Sequence, residues 1–291
     1  MKKLFTLAIF ALLVVGITGC DEDDSTILIG DFEPTTPQGV FSVSGNDIVY
    51  VIFNGTYDTD LDSYAIYRAE TEDGEPVYIG SVTARNNPAG DTLFVYSYED
   101  REVANGDTYF YYVTAINSSG HESAFSAEFV MDTPRFERSI PLFATDQDAA
   151  RAGFDFVLND YVDSSVSDVV QYFDTDDGVM YLTTGKANTD IQDVGYTEPF
   201  VFDGEEIAFD DVDVAPADGW SNNGFVEVIE GHTYVIWTAA NRYAKMRADL
   251  VSVAGHFTAF TFAYQKALGN PDLSGPADAP LADTKSDLDL R

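Results

Sequence analysis

The chain has 291 residues, length for about two domains, and its 45% hydrophobic content with 21 Phe, 17 Tyr and 2 Trp supplies real cores, which excludes disorder throughout. Its 50 acidic and 15 basic residues give a formal charge of −35, and between Arg151 and Arg242 only Lys186 is basic among 19 carboxylates. That excludes a nucleic-acid partner, which needs Lys and Arg to displace phosphate counterions, while a single cysteine excludes an intramolecular disulfide framework and a multi-cysteine metal site.

Lys2 and Lys3 precede an apolar run from Leu4 to Val15, then Gly16-Ile17-Thr18-Gly19-Cys20. A membrane-spanning helix needs about 20 apolar residues, so this shorter run has the form of a signal-peptide core. Ile17-Thr18-Gly19-Cys20 resembles the bacterial lipobox, with an aliphatic residue three before the cysteine. The resemblance implies that residues 1–19 are a lipoprotein signal peptide, that Cys20 carries a diacylglycerol thioether, and that the new amino terminus is acylated. Several acyl chains anchor firmly where one binds marginally. The expected address is the bacterial cell envelope, lipid-anchored, at the outer membrane. Residues 20–37, with Asp21-Glu22-Asp23-Asp24, Pro34 and Pro37, read as an acidic flexible linker. An acidic run placed there is also similar to the surface-export signal of some Bacteroidota lipoproteins.

From Gln38 to Val130 short β-rich runs follow one another: Asp47 to Phe53, Ser63 to Ala69, Val77 to Val82, Thr92 to Ser97 and Thr108 to Asn117. Turn residues separate them and no helical period intervenes, the signature of a β-sandwich. Asp58 to Arg68 resembles the strand C region of bacterial fibronectin type III domains, and Gly106 to Asn117 with Gly120 and Glu122-Ser123 resembles their strands F and G. The resemblance implies a fibronectin type III-like domain over 38–133, with Tyr109 as the corner tyrosine and Phe53 where the family places a buried Trp. Period-two alternation puts Tyr109, Tyr111, Val113 and Ala115 on the core side. Asp58, Asp60 and Asp62 have the alternate spacing of a calcium loop but lack its glycine and its twelfth-position carboxylate, so they read as a solvated turn.

Thr133-Pro134-Arg135 ends the sandwich, and 140–265 reads as a second antiparallel β domain, making the chain all-β. Gly153 to Leu158 alternates; Ser167 to Phe173 and Val179 to Thr184 form a hairpin around Asp174 to Gly178. Thr233 to Thr238, Tyr243 to Val253 and Phe257 to Tyr264 form a meander, with Thr258, Phe260, Phe262 and Tyr264 on one side. Glu198 to Trp220 is long, acidic and poor in pattern, and loops of that kind are commonly functional or mobile. Residues 266–291, rich in Gly, Pro and Asp, read as a disordered tail.

Gly231 to Thr238 and Asn241 to Arg247 resemble a hairpin of HmuY-like haem-binding lipoproteins. The resemblance implies a haem pocket. Haem iron needs an axial His, Met, Cys or Tyr, and the candidates are His232, His256, Met180 and Met246. Without that resemblance the chain calls for no cofactor, and a lone His beside a turn is an ordinary polar loop residue. Trp220, Trp237, Tyr243 and Phe225 are candidates for a sugar-stacking platform or for plain core. Asp174, Asp176 and Asp177, and Asp210, Asp211 and Asp213, are acidic runs that fit no calcium-loop template.

His121, His232 and His256 form no metal-binding pair at helical spacing, and neither a glycine-rich phosphate loop nor a Gly-x-Ser-x-Gly elbow occurs. The leading expectation is a non-catalytic envelope lipoprotein that binds an extracytoplasmic protein, glycan or small ligand. A haemophore-like lipoprotein is one alternative. A surface glycan-acting hydrolase using paired carboxylates is the other.

Overall fold

A computed structural model describes residues 32–128, 130–221 and 224–273. Cys20, the apolar run before it and residues 274–291 lie outside the described residues. Two antiparallel β-sandwiches follow one another.

The first contains β1 (Gln38–Gly45), β2 (Ile48–Asn54), β3 (Leu61–Ala69), β4 (Val77–Thr83), β5 (Val95–Asp100), β6 (Tyr109–Asn117) and β7 (Val130–Asp132). Its sheets run β1-β2-β5 and β4-β3-β6-β7, a three-on-four arrangement like that of fibronectin type III domains. Alternation along β6 does what the sequence demands: Tyr109, Tyr111, Val113 and Ala115 all enter the core. The Tyr109 hydroxyl accepts the Ala104 N–H at 3.0 Å, forming the tyrosine corner. Phe53 fills the expected Trp slot, its ring 5.2 Å from Tyr64 and 5.6 Å from Tyr96. Strand β1 was not among the runs read from the sequence. It is covered on both faces, so it shows no clean alternation: Val40 enters the sandwich core and Val43 the contact with the second domain.

The second sandwich contains β8 (Phe136–Phe143), β9 (Gly153–Asp155), β10 (Asp160–Val162), β11 (Val169–Asp174), β12 (Val179–Thr183), β13 (Asp190–Tyr196), β14 (Phe200–Phe202), β15 (Glu205–Ala208), β16 (Phe225–Glu227), β17 (His232–Trp237), β18 (Tyr243–Ser252) and β19 (Phe257–Tyr264). Its sheets run β10-β9-β11-β12-β16 and β13-β17-β18-β19-β8, with β14-β15 as a separate hairpin. Phe154, Phe156, Met180, Leu182, Ile236, Met246, Phe260 and Phe262 interdigitate between the two sheets. The expected strand from Gly153 to Leu158 is shorter than read, because the chain turns after Asp155, whose carboxylate accepts the Leu158 N–H at 2.8 Å.

The junction between the domains is buried. Thr133 and Arg135 are fully enclosed. The Thr133 carbonyl accepts Gln265 Nε2 at 3.1 Å, the Pro134 carbonyl accepts the Gly106 N–H at 2.8 Å, and the Arg135 N–H donates to Gly45 O at 3.2 Å. Strand β8 starts at Phe136 and pairs with β19 along its whole length, which brings the second domain up to the end of the first. Residues 266–273, placed with the tail by their composition, belong to this assembly: Gly269 N donates to Asn241 O at 2.7 Å, and Leu273 is fully buried with its N–H on Asp213 O at 2.7 Å. Gly and Pro serve there as turn residues within packed chain.

Candidate functional site

The stretch from Glu198 to Trp220 divides into two working parts. Asp203-Gly204 turns β14 into β15 with positive φ at both residues, 50° and 86°, the two-residue hairpin geometry that Asp-Gly favours. This hairpin lies on the outer face of the first domain's β1-β2-β5 sheet. Phe200, Phe202, Ile207 and Ala208 meet Phe41, Val43, Tyr50 and Ile52 there, and the Phe41 and Phe200 rings pack edge to face at 6.2 Å. The remaining part, with Phe209, Val212, Ala215 and Trp220, covers the outer face of the second domain's β17-β18 strands.

Beside the hairpin the two domains enclose a groove of about 350 Å³. Tyr50, Arg85, Tyr96 and Glu99 line it from the first domain; Phe202, Asp203, Glu205 and Ile207 line it from the hairpin. The Tyr96 hydroxyl accepts the Arg85 N–H at 2.9 Å, and the Arg85 guanidinium sits 5.6 Å from the Tyr96 ring centre and 5.4 Å from that of Phe94. Burial, then the adjacent Glu99 charge, pushes the Tyr50 phenol above its ordinary value, so it remains a neutral donor at neutral pH. Glu99, Asp203 and Glu205 are exposed at the rim, Glu99 paired with Arg101 at 2.6 Å. Aromatic surface inside and charged hydrogen-bonding groups at the edge suit a small polar ligand.

The residues singled out in the sequence lie elsewhere. His232 Nδ1 is 3.0 Å from an Asp193 carboxylate oxygen, and His256 Nδ1 is 2.7 Å from that of Asp146, its ring stacked on Phe173 at 3.9 Å. Thr233 pairs with Arg247 while Phe257 pairs with Ser252, so the two histidines are separated by about 17 Å along β18 at ~3.4 Å per residue. They cannot share one iron. Neither lines the groove, and Met180 and Met246 are packed in the second domain's core. Trp237 and Tyr243 are buried and stacked at 5.6 Å, with Trp220 5.8 Å from Trp237, which makes them the packed outer face of a sheet. Phe225 is exposed and meets Tyr172 edge to face at 5.9 Å.

Asp58 and Asp174 are held in hydrogen bonds within the fold. Asp58 accepts the Thr35 N–H at 3.1 Å and the Thr56 hydroxyl at 2.6 Å; Asp174 accepts the Asp176 N–H at 2.9 Å. Among the described residues no three His, Cys, Asp or Glu side chains come together as a metal site.

A second constellation is buried at the domain junction. Lys245 and Asp210 form an ion pair with both side chains wholly enclosed. Lys245 Nζ also donates to Val212 O at 3.0 Å and lies 4.9 Å from the Phe209 ring centre. Burial first, then the Arg135 charge, pushes the Lys245 ammonium down to about 8. Arg135 Nη2 stands 3.3 Å from Glu137 Oε1, but no nitrogen of that guanidinium makes an aligned hydrogen bond. Burial raises the Glu137 carboxyl above its usual value. Asp132, which accepts the Ser44 hydroxyl, is pushed up to about 6 by burial, against the opposing pull of Ser44, Ser42 and Arg135.

Sequence reasoning passed over Arg85, Glu99, Asp203 and Glu205. One signal was present: Phe-Val-Phe-Asp-Gly-Glu-Glu-Ile is an Asp-Gly hairpin flanked by apolar residues. The groove itself had none, because its walls come from distant parts of the chain.

No protein-family model matches this sequence, and no curated protein matches it. Among solved structures the chain is similar to an Fn3-like protein from Clostridium thermocellum, with 23% identity and a TM-score of 0.28 over 37% of this chain and 100% of that one. It is also similar to a cycloalternan-degrading enzyme from Trueperella pyogenes, with 10% identity and a TM-score of 0.24 over 80% of this chain. The same enzyme in complex with isomaltose matches with 11% identity and a TM-score of 0.23. The chain spans 31% of that enzyme's length.

Proposed function

We propose that this protein is a non-catalytic lipoprotein of the bacterial envelope, anchored at the outer membrane through Cys20, whose fused β-sandwiches bind a neutral glycan in the groove between them. The observation that carries the reading is the groove built by both domains, with Tyr50 and Phe202 inside, Arg85, Glu99, Asp203 and Glu205 around them, and the core-packed Tyr96 holding the Arg85 backbone from beneath. Sugar rings stack on aromatic faces while their hydroxyls bond to charged side chains, and interdomain clefts of a few hundred Å³ are favoured ligand sites. The acids at the rim are exposed. A glycosidase's general acid instead needs a carboxyl raised by a dry environment, so the geometry favours binding over hydrolysis. The anchor reading rests on Lys2, Lys3, the short apolar run and the lipobox-like end at Cys20.

A glycan array probed with purified protein tests the reading. Saturable binding of neutral oligosaccharides, with no product released on long incubation, supports it. Turnover of a bound glycan would move the protein to the hydrolase class, and a blank array would overturn the glycan reading.

A further inference from the structure

The groove makes no use of the enclosed Lys245–Asp210–Glu137 constellation, and Lys186 shows what an ordinary ion pair looks like here. Lys186 is partly exposed and bridges two carboxylates, Asp155 at 2.5 Å and Asp168 at 2.9 Å. Those two hydrogen bonds oppose desolvation and raise Lys186 above its usual value, so it remains an ammonium ion. Lys245 is different in each respect. It is wholly enclosed, forms an ion pair with one acid, Asp210, and has the Arg135 guanidinium nearby. A lysine desolvated beside another cation is in the environment that turns an ammonium into a nucleophilic amine. A third group stands in line: Lys245 pairs with Ala263 on β19, and Ala263 pairs with Glu137 on β8. The three lie in one row on one sheet face. Glu137 and Lys245 are thus two strand spacings apart, about 10 Å at the backbone, with only a methyl group between them.

We propose that Lys245 and Asp210 become joined by an intramolecular amide bond, with Glu137 as the proton-transfer group. Proton transfer within the ion pair gives a neutral amine and a carboxylic acid. The Nζ lone pair attacks Cγ of Asp210, forming the N–C bond. The Glu137 carboxyl relays the proton that Nζ loses to the departing hydroxyl; the C–O bond breaks and one water leaves. No oxidant or other reactant is required. The driving force is local, since an enclosed ion pair carries a large desolvation cost and the amide removes both charges from the interior. The bond ties the segment after the hairpin to β18, and so fixes the hairpin that walls the groove. It stands or falls independently of the glycan reading.

Peptide mapping of the denatured full chain tests it. Trypsin cuts after free lysine, so an unlinked chain yields Tyr243–Lys245 and Ala187–Arg242 separately. The linked chain keeps Tyr243–Arg247 uncut and attached to Ala187–Arg242, lighter than the sum of the two peptides by one water, about 18 Da. Cleavage after Lys186 stays complete and serves as the internal comparator. In Glu137→Gln, bond formation slows about a hundredfold or more, and the linear peptides reappear in chains whose circular dichroism matches the wild type. Full recovery of Tyr243–Lys245 from the wild-type chain overturns the proposal, whatever the variant does. A folded Glu137→Gln chain that carries the bond in undiminished yield removes Glu137 from the mechanism.

Discussion

Ile52 projects from the outer face of the β1-β2-β5 sheet, on the side away from the first domain's core, yet it is only 1% exposed because the β14-β15 hairpin covers it. Ile52→Ala removes three carbons at about 0.8 kcal/mol each, and incomplete collapse of the cavity brings the expected cost to about 3 kcal/mol. If the sandwiches stood apart, the same side chain would face water and the change would cost less than about 0.5 kcal/mol. Both tryptophans, Trp220 and Trp237, lie in the second domain, so urea unfolding followed by tryptophan emission reports that domain while the mutation sits in the other. Cooperative unfolding through the shared interface lowers the tryptophan midpoint by roughly 1 M urea, for a slope near 2–3 kcal/mol/M. An unchanged tryptophan midpoint, with loss of stability confined to the first domain's tyrosine or circular dichroism signal, would refute the fused junction.

Three further outcomes are expected. The Asp132 carboxyl is raised from 3.8 to about 6 in the folded chain, so the folded state binds the extra proton between those values and Asp132 costs stability as pH rises through them. Asp132→Asn should therefore gain relative to wild type between pH 4 and pH 7, by on the order of 3 kcal/mol; a pH-independent difference in urea stability would count against it. Haemin titrated into the protein should give no saturable Soret shift, because His232 and His256 are each paired with an aspartate and both stand outside the groove; a shift abolished by His232→Ala or His256→Ala would reinstate haem. The charge of −35 should make the melting temperature climb steadily with monovalent salt as self-repulsion is screened, whereas saturation by sub-millimolar calcium would reveal a specific site.

The parts of the fold that were readable in the sequence are the runs where large apolar residues recur at every second position. In β6 that set is Tyr109, Tyr111, Val113 and Ala115, and in β19 it is Thr258, Phe260, Phe262 and Tyr264, although β6, like β17, is buried along nearly its whole length. Strand β1 escaped because Gly39, Ser42, Ser44 and Gly45 break up its apolar residues, and the hairpin that covers its second face is distant in the chain. Trp237 and Tyr243 suit a core more readily than a platform, and the segment that covers them lies outside any local window. The ends of the second domain were misjudged for a related reason. Asn270, Pro271 and Asp272 have loop composition, yet Asn270 donates to the Thr133 hydroxyl at 3.2 Å and the Asp272 carbonyl accepts Gln265 Nε2 at 3.1 Å, sealing the junction. Arg85 and Phe202 face one groove only because a hairpin of one domain lies on a sheet of the other, a long-range contact that no periodicity encodes.

The central claim is that one ligand site is built jointly by both sandwiches. The most direct test is calorimetric titration of an array-selected glycan into wild type, Arg85→Ala and Phe202→Ala, the two variants altering opposite walls of the groove. One site per chain is expected in the wild type. Each variant should weaken binding about tenfold or more, corresponding to roughly 1.4 kcal/mol, with the fold intact. Undiminished affinity in either variant would contradict a shared site and place the ligand on one domain or elsewhere.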